Sequence, residues 1–215
     1  MKVLGKISLT LGLMLIVTLL MTSCSGGGLV TPELQLDLDE EINKVEELVS
    51  VYLEVPYEKY AGTNWCLPAS GAMTFKYFGM DVSQSQIASK VIKNGSSSVF
   101  RFISYAKGLG FEVAYKSKTI EEIKVLLEED IPVIAIQNYS LNLPYSHARV
   151  IIGFDDEKQE VITNDPTAGK DHKISYANFL ALNFNSNPDK CKVIVLSPEE
   201  AGSKSAELRD NRDNS

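Results

Sequence analysis

The sequence predicts an α+β domain, with helices gathered before an antiparallel sheet. Three observations predict it. Segments with helical periodicity and N-capping residues fill much of the stretch from residue 68 to 129. Apolar runs of strand length dominate from residue 132 onward. Between two of those runs lies Asp155-Asp156-Glu157-Lys158, a turn of the kind that closes a hairpin. Helices grouped ahead of hairpin-connected strands give α+β rather than alternating α/β.

The first element is a targeting signal. Lys2 and Lys6 make a short basic start, and Ile7 to Met21 is an uncharged apolar stretch. Met21-Thr22-Ser23-Cys24 follows, with small residues before a cysteine. This is the pattern of a secretory signal, too short to span a membrane and ending in a cleavage-like site. It resembles a bacterial lipoprotein signal over residues 1–23, which implies a diacylglycerol and palmitate on Cys24. Residues 24–37, with Ser25-Gly26-Gly27-Gly28, read as a flexible tether. Residues 38–50 carry Ile42, Val45, Leu48 and Val49 on one face of an expected helix. Residues 51–198 form the expected domain, and 199–215 an almost entirely polar tail.

Within the domain, Leu53 to Tyr57 reads as a strand. Pro68 to Tyr77 reads as a helix, with Pro68 in the first turn, where a missing N–H costs nothing. Ser83 to Lys93 is a second helix whose Ser83 and Gln86 have capping-box spacing. Ser97 to Leu109 is a third, ended by Gly110. Phe111 to Tyr115 is a strand, and Thr119 to Glu129 a helix with Thr119 and Glu122 at box positions. Pro132 to Gln137, Ala148 to Phe154, Glu160 to Thr163 and Lys192 to Ser197 complete the strands.

Charge narrows the function. The chain carries a formal net charge of -7, and removing residues 1–23 takes away two lysines and no acid, leaving -9. So acidic a surface argues against nucleic acid and against electrostatic attachment to anionic lipid. The domain is large enough to bury a core without a disulfide or metal staple.

The chemistry centres on Cys66, in Asn64-Trp65-Cys66-Leu67-Pro68-Ala69-Ser70, immediately before a predicted helix. Backbone N–H groups at a helix start, with an imidazolium nearby, lower a thiol pKa toward neutrality. Of the two histidines, His147 leads an apolar strand. Asp165, in Asn164-Asp165-Pro166, ends the next. A thiol, a base and a carboxylate that orients the base are the parts of a nucleophilic site. Other readings exist for the same residues. Cys66 alone fits a buried structural cysteine, and Cys66 with Cys191 fits a disulfide in an oxidising compartment. A zinc site from Cys66, Cys191, His147 and His172 lacks paired ligand spacing, so no metal is expected. Trp65 fits either a cleft wall or a core aromatic.

In this order the motifs resemble the papain-like cysteine peptidases, and among them the bacteriocin-processing (double-glycine leader) peptidase family. The resemblance runs from about Leu53 to Leu196 and also takes in Tyr77-Phe78-Gly79, Ile131-Pro132-Val133-Ile134 and Ile174 to Leu180, which looks like a closing helix. It implies a nucleophile helix packed on a sheet that carries the histidine and the acid, with Cys66, His147 and Asp165 as a catalytic triad. Three positions depart from the family pattern. Tyr60 stands where the family usually has an oxyanion-binding glutamine, and Leu67 where it usually has glycine. Arg149, two residues past His147, brings a fixed charge to the same strand face, which Asp165 or a substrate carboxylate would have to neutralise. Tyr60 and Asn64 are therefore the oxyanion-hole candidates, and Trp65 and Arg149 the substrate-binding candidates.

The expectation is a monomeric cysteine peptidase, lipid-anchored outside the cytoplasm, acting on a peptide or protein without a cofactor. A catalytically silent papain-like domain that binds a peptide or protein partner is the alternative, and a cysteine acyltransferase the third reading.

Overall fold

The computed structural model describes residues 50–184 and 188–198. The signal peptide, Cys24, the tether, residues 38–49 of the expected helix and the tail lie outside the described residues. Among the described residues, no helix is long and apolar enough to cross a membrane.

The chain opens with β1 (Ser50–Tyr52) and then runs through α1 (Cys66–Tyr77), α2 (Gln84–Val91), β2 (Ile92–Lys93) and β3 (Ser96–Ser97). It continues with α3 (Val99–Gly108), β4 (Phe111–Lys118), α4 (Ile120–Glu128), β5 (Val133–Asn138) and β6 (Ser146–Asp155). β7 (Glu160–Asp165), β8 (Gly169–Ser175), α5 (Tyr176–Ala181) and β9 (Cys191–Pro198) follow. The main sheet has the order β4-β9-β5-β6-β7-β8, with β1 added to β6, and every pairing in it is antiparallel. This is the α+β layout that the sequence predicts.

The central strands are buried along their length: Val133 to Ile136, Ala148 to Ile152 and Val193 to Leu196 have almost no exposed surface. Runs that are buried throughout, and apolar except at Arg149, belong to strands covered on both faces. α1 packs on β6 and β5, while α4 touches β1, β4, β5 and β6. α1 is buried nearly all round, from Leu67 to Phe75, and its small residues let neighbours close in. A Cβ at Gly71 would stand 2.4 Å from the Phe102 ring of α3.

Local signals set most boundaries. Ser83 with Gln86, and Thr119 with Glu122, form reciprocal capping boxes at α2 and α4. Four expectations are corrected. The strand expected at Leu53 to Tyr57 lies earlier, at Ser50–Tyr52, so the last residue of the expected 38–50 helix is already strand. Leu53 still donates to the Ile152 carbonyl, but Val55 turns its N–H to Leu53, which ends the pairing. α2 stops at Val91, because Asn94-Gly95, both with positive φ (53° and 76°), forms a tight turn between β2 and β3. That hairpin takes Ser97 from the third helix, which Ser98 caps instead. β8 is an edge strand of polar, exposed residues, so it carries no apolar alternation to betray it. The closing helix therefore begins at Tyr176, capped by Ser175.

Candidate active site

Three elements carry the chemistry: α1, β6 and β7. Cys66 is the first residue of α1, preceded by Trp65 as an N-cap without a side-chain cap bond. The first N–H groups of a helix lack intrahelical partners. Facing Cys66 is β6, where His147 pairs across the sheet with Gln137. On the other side of β6, Val150 pairs with Asn164, so Asp165 comes opposite Arg149 and close to His147.

His147 Nε2 lies 2.9 Å from Asp165 Oδ1. With Nε2 so engaged, Nδ1 is the nitrogen left to interact with the Cys66 thiol. Burial by itself pushes the Cys66 thiol up. The hydrogen bond and charge of His147, with the N–H groups of Ala148 and Leu67, outweigh burial and hold the thiol below its ordinary value. Burial pulls His147 down, and the hydrogen bonds and charges of Asp165 and Cys66 overcome it and raise the imidazole. The two shifts favour a thiolate–imidazolium pair.

Asp165 is buried and fully engaged. Oδ1 also accepts from the N–H groups of Thr167 (2.8 Å) and Ala168 (3.1 Å), while Oδ2 accepts from Arg149 Nε at 3.0 Å. Burial would raise its carboxyl, but the His147 hydrogen bond, the charges of His147 and Arg149 and the Ala168 N–H hold it well below the usual carboxylate range. Asn164 anchors this corner, donating to the Val55 carbonyl at 2.9 Å and accepting from the Asp171 N–H at 3.2 Å.

The remaining candidates separate. Arg149 is corrected as a substrate-binding residue: it is 2% exposed and gives its donors to Asp165, Gln137 and the Tyr139 carbonyl. Asn64 has a different task from the one expected of it. At φ 62° its amide donates to the Gly95 carbonyl at 2.8 Å, tying the loop before Cys66 to the β2–β3 turn. Tyr60 is exposed, and its N–H bonds to the Pro166 carbonyl at 3.3 Å, next to Asp165. Trp65 is half-buried and packs over Gly62, where a Cβ would stand 2.7 Å from the ring. Cys66 and Cys191 are both free thiols. Cys191 is buried at the start of β9, where burial pushes its thiol up to about 12. Among the described residues no group of His, Cys, Asp and Glu is placed to hold a metal.

Two supporting residues escape sequence reasoning. Gln84 of α2 reaches the loop before Cys66, and Gln137 of β5 holds Arg149. Their one signal is an amide within an otherwise apolar pattern, visible for Gln137 at the end of Val133-Ile134-Ala135-Ile136.

The sequence profile of the Peptidase_C39 like family matches residues 52–188, more than half of the chain. No curated protein matches the sequence. Among solved structures, a candidate C39-like peptidase from Bacillus anthracis is 19% identical, with a TM-score of 0.55 over 69% of this chain and 97% of that one. A double glycine motif protease from an AMS/PCAT transporter, solved in complex with the leader peptide, is 22% identical, with a TM-score of 0.55 over 69% of this chain and 94% of that one. Xylellain, a cysteine protease from Xylella fastidiosa, is 14% identical, with a TM-score of 0.50 over 70% and 86% of the two chains. At these identities the structures show a shared papain-like fold. With the profile spanning α1, β4 to β8 and the Cys66, His147 and Asp165 positions, the chain belongs to the Peptidase_C39 like family of papain-fold cysteine peptidases.

Proposed function

We propose that this protein hydrolyses peptide bonds with Cys66 as nucleophile, His147 as acid and base, and Asp165 as the group that orients His147. The observation that carries the reading is His147 held between Asp165 and the Cys66 thiol, with the thiol lowered and the imidazole raised. Thiolate Sγ attacks the carbonyl carbon, and the oxyanion meets the N–H of Cys66 at the start of α1. The imidazolium protonates the leaving amine as the C–N bond breaks, leaving a thioester. His147 then takes a proton from water, which attacks the thioester and releases the acid and the thiol. The leader peptide bound by the transporter protease supports a peptide as substrate class.

The Met21-Thr22-Ser23-Cys24 signal supports an extracytoplasmic protein, tethered to a membrane through a lipidated Cys24. Lipidation contributes about 0.8 kcal/mol per buried CH₂, so two or three chains hold the domain stably. Intact mass should show an acylated Cys24 N-terminus, and Cys24→Ala should release the protein from membranes.

The test of the chemistry is alkylation at pH 6. Cys66 should react much faster than Cys191, His147→Ala should slow it, and Cys66→Ala should abolish peptide cleavage. Equal reactivity of the two cysteines sinks the pair. A silent peptide-binding domain is the second reading, favoured by Tyr60 at the glutamine position, and cleavage by Tyr60→Gln but not by wild type would select it.

A further inference from the structure

Arg149 is a guanidinium buried inside the candidate site. It follows His147 by two residues on β6, so both side chains leave the same face of the strand. Burying a cation is costly unless its donors are satisfied, and here each nitrogen has a partner. Nε donates to Asp165 Oδ2 at 3.0 Å, one terminal nitrogen to Gln137 Oε1 at 3.3 Å, and the other to the Tyr139 carbonyl at 3.2 Å.

These partners are the residues that surround the His147 ring. Asp165 takes Nε2 on its other oxygen. Tyr139 packs edge-on against the imidazole, with centroids 5.3 Å apart and planes at 87°. Gln137 is the residue directly across the sheet. We propose that Arg149 is a positioning residue, a buried brace that fixes Asp165 and Tyr139 around the imidazole of His147. A planar fork is suited to this, since it can meet three acceptors from one group, which an ammonium cannot.

The brace has an electrostatic consequence. The titratable groups around it are Asp165 and His147 on the sheet, Cys66 from α1, Cys191 from β9, Tyr139 after β5, and Tyr57 from the segment after β1, which feels the Asp165 charge. Losing Arg149 removes a buried cation two residues from His147 and leaves the Asp165 charge unshared, so Asp165 holds the imidazolium more strongly while the site as a whole becomes more negative. A more negative site disfavours the thiolate while the imidazole is already protonated, so the acid limb of Cys66 ionisation moves up.

The proposal deepens the peptidase reading, but its first readout does not need activity. The rate of Cys66 alkylation by iodoacetamide is followed from pH 4 to 9 for wild type, Arg149→Met and Arg149→Lys, alongside kcat/KM on a peptide. In Arg149→Met the acid limb of alkylation should move up by about half a pH unit or more. Arg149→Lys keeps the charge, so its acid limb should stay near wild type while kcat/KM falls about tenfold for want of the fork. A limb that stays put in Arg149→Met, with rates lowered uniformly, makes Arg149 structural only and overturns the proposal. If Arg149→Met does not fold, Arg149→Lys decides: wild-type behaviour in both readouts overturns it. Wild type that shows a lowered acid limb yet cleaves no peptide defeats the peptidase reading alone, because the alkylation comparison still judges Arg149.

Discussion

Gln84 and Ala61 are 23 residues apart, and a 3.0 Å hydrogen bond from the Ala61 N–H to Gln84 Oε1 joins them. The amide of Gln84 donates in turn to Glu58 at 2.7 Å and to the Lys59 carbonyl at 2.9 Å. Glu58 also binds Lys76 of α1. The loop that leads to Cys66 is thus hung between α2 and α1 by one buried amide.

Gln84→Ala should therefore cost about 1–3 kcal/mol in urea unfolding, toward the low end because the exposed Lys59 and Ala61 can turn to water. The loop before the nucleophile loosens while Cys66 and His147 stay paired. The expected outcome is a fall of roughly tenfold in kcat/KM with Cys66 alkylation almost unchanged. Full activity in the variant would show that Gln84 is not what holds the loop.

A second prediction rests on close packing at the sheet edge. A Cβ on Gly153 would stand 2.3 Å from the Val51 carbonyl and 3.2 Å from the Tyr52 Cα, both backbone atoms that cannot swing aside. Gly153→Ala should push β1 off β6 and lower stability by more than about 2 kcal/mol. Gly108, in α3, has nothing within 4 Å of such a Cβ, so Gly108→Ala should gain about 0.5–1 kcal/mol. Thermal unfolding of the two variants should give shifts of opposite sign.

What the sequence made legible was local or periodic. Ser83 with Gln86 and Thr119 with Glu122 mark helix starts because a cap needs only four consecutive residues. The Cys66, His147 and Asp165 positions were legible because each residue type is scarce or sits at the end of an apolar run. Arg149 read as a fixed charge beside His147 that Asp165 or a substrate carboxylate would neutralise, but its other acceptors, on Gln137 and Tyr139, lie 12 and 10 positions away across the sheet and leave no local signal. Gln84 reads as an ordinary helix residue for the same reason: its partners are long-range. Asn94-Gly95 did carry a turn signal, but the capping box before it favours a longer helix.

The third prediction is the pH dependence of stability that Asp165 confers. Its folded value is depressed, so its contribution is fully present above the unfolded value, about 3.9, and is lost as pH falls through the folded one. His147 is raised, so its contribution is present below about 6.5 and lost on the alkaline side, and does not vary in the acid window. At pH 7, Asp165→Asn should cost about 3–5 kcal/mol, because it leaves the Arg149 cation buried without its anion. The gap between variant and wild type should narrow below about pH 4. A gap in urea unfolding that is constant from pH 7 to 2 would mean that Asp165 is no better stabilised folded than unfolded.

The last prediction concerns the oxyanion hole of the proposed reaction. The Cys66 N–H at the helix start offers one donor, and a second must come from the loop before it. Asn64 is the weaker candidate, because its amide is drawn to the Gly95 carbonyl 2.8 Å away. Tyr60 stands where the resemblance to the family would place a glutamine. Its N–H is bonded to the Pro166 carbonyl, which fixes this residue beside the Asp165 corner. Tyr60 is 39% exposed, so it is open to a substrate. Losing one donor to a developing oxyanion typically costs about a hundredfold or more in rate. Tyr60→Phe should therefore lower kcat/KM by roughly 10²-fold, while Cys66 alkylation, which builds no oxyanion, stays close to wild type. Asn64→Ala should act differently, loosening the β2–β3 turn and lowering stability with a smaller effect on the chemical step. If Tyr60→Phe keeps full activity, the second donor is not this hydroxyl. If both variants do, the hole is built from backbone N–H groups alone.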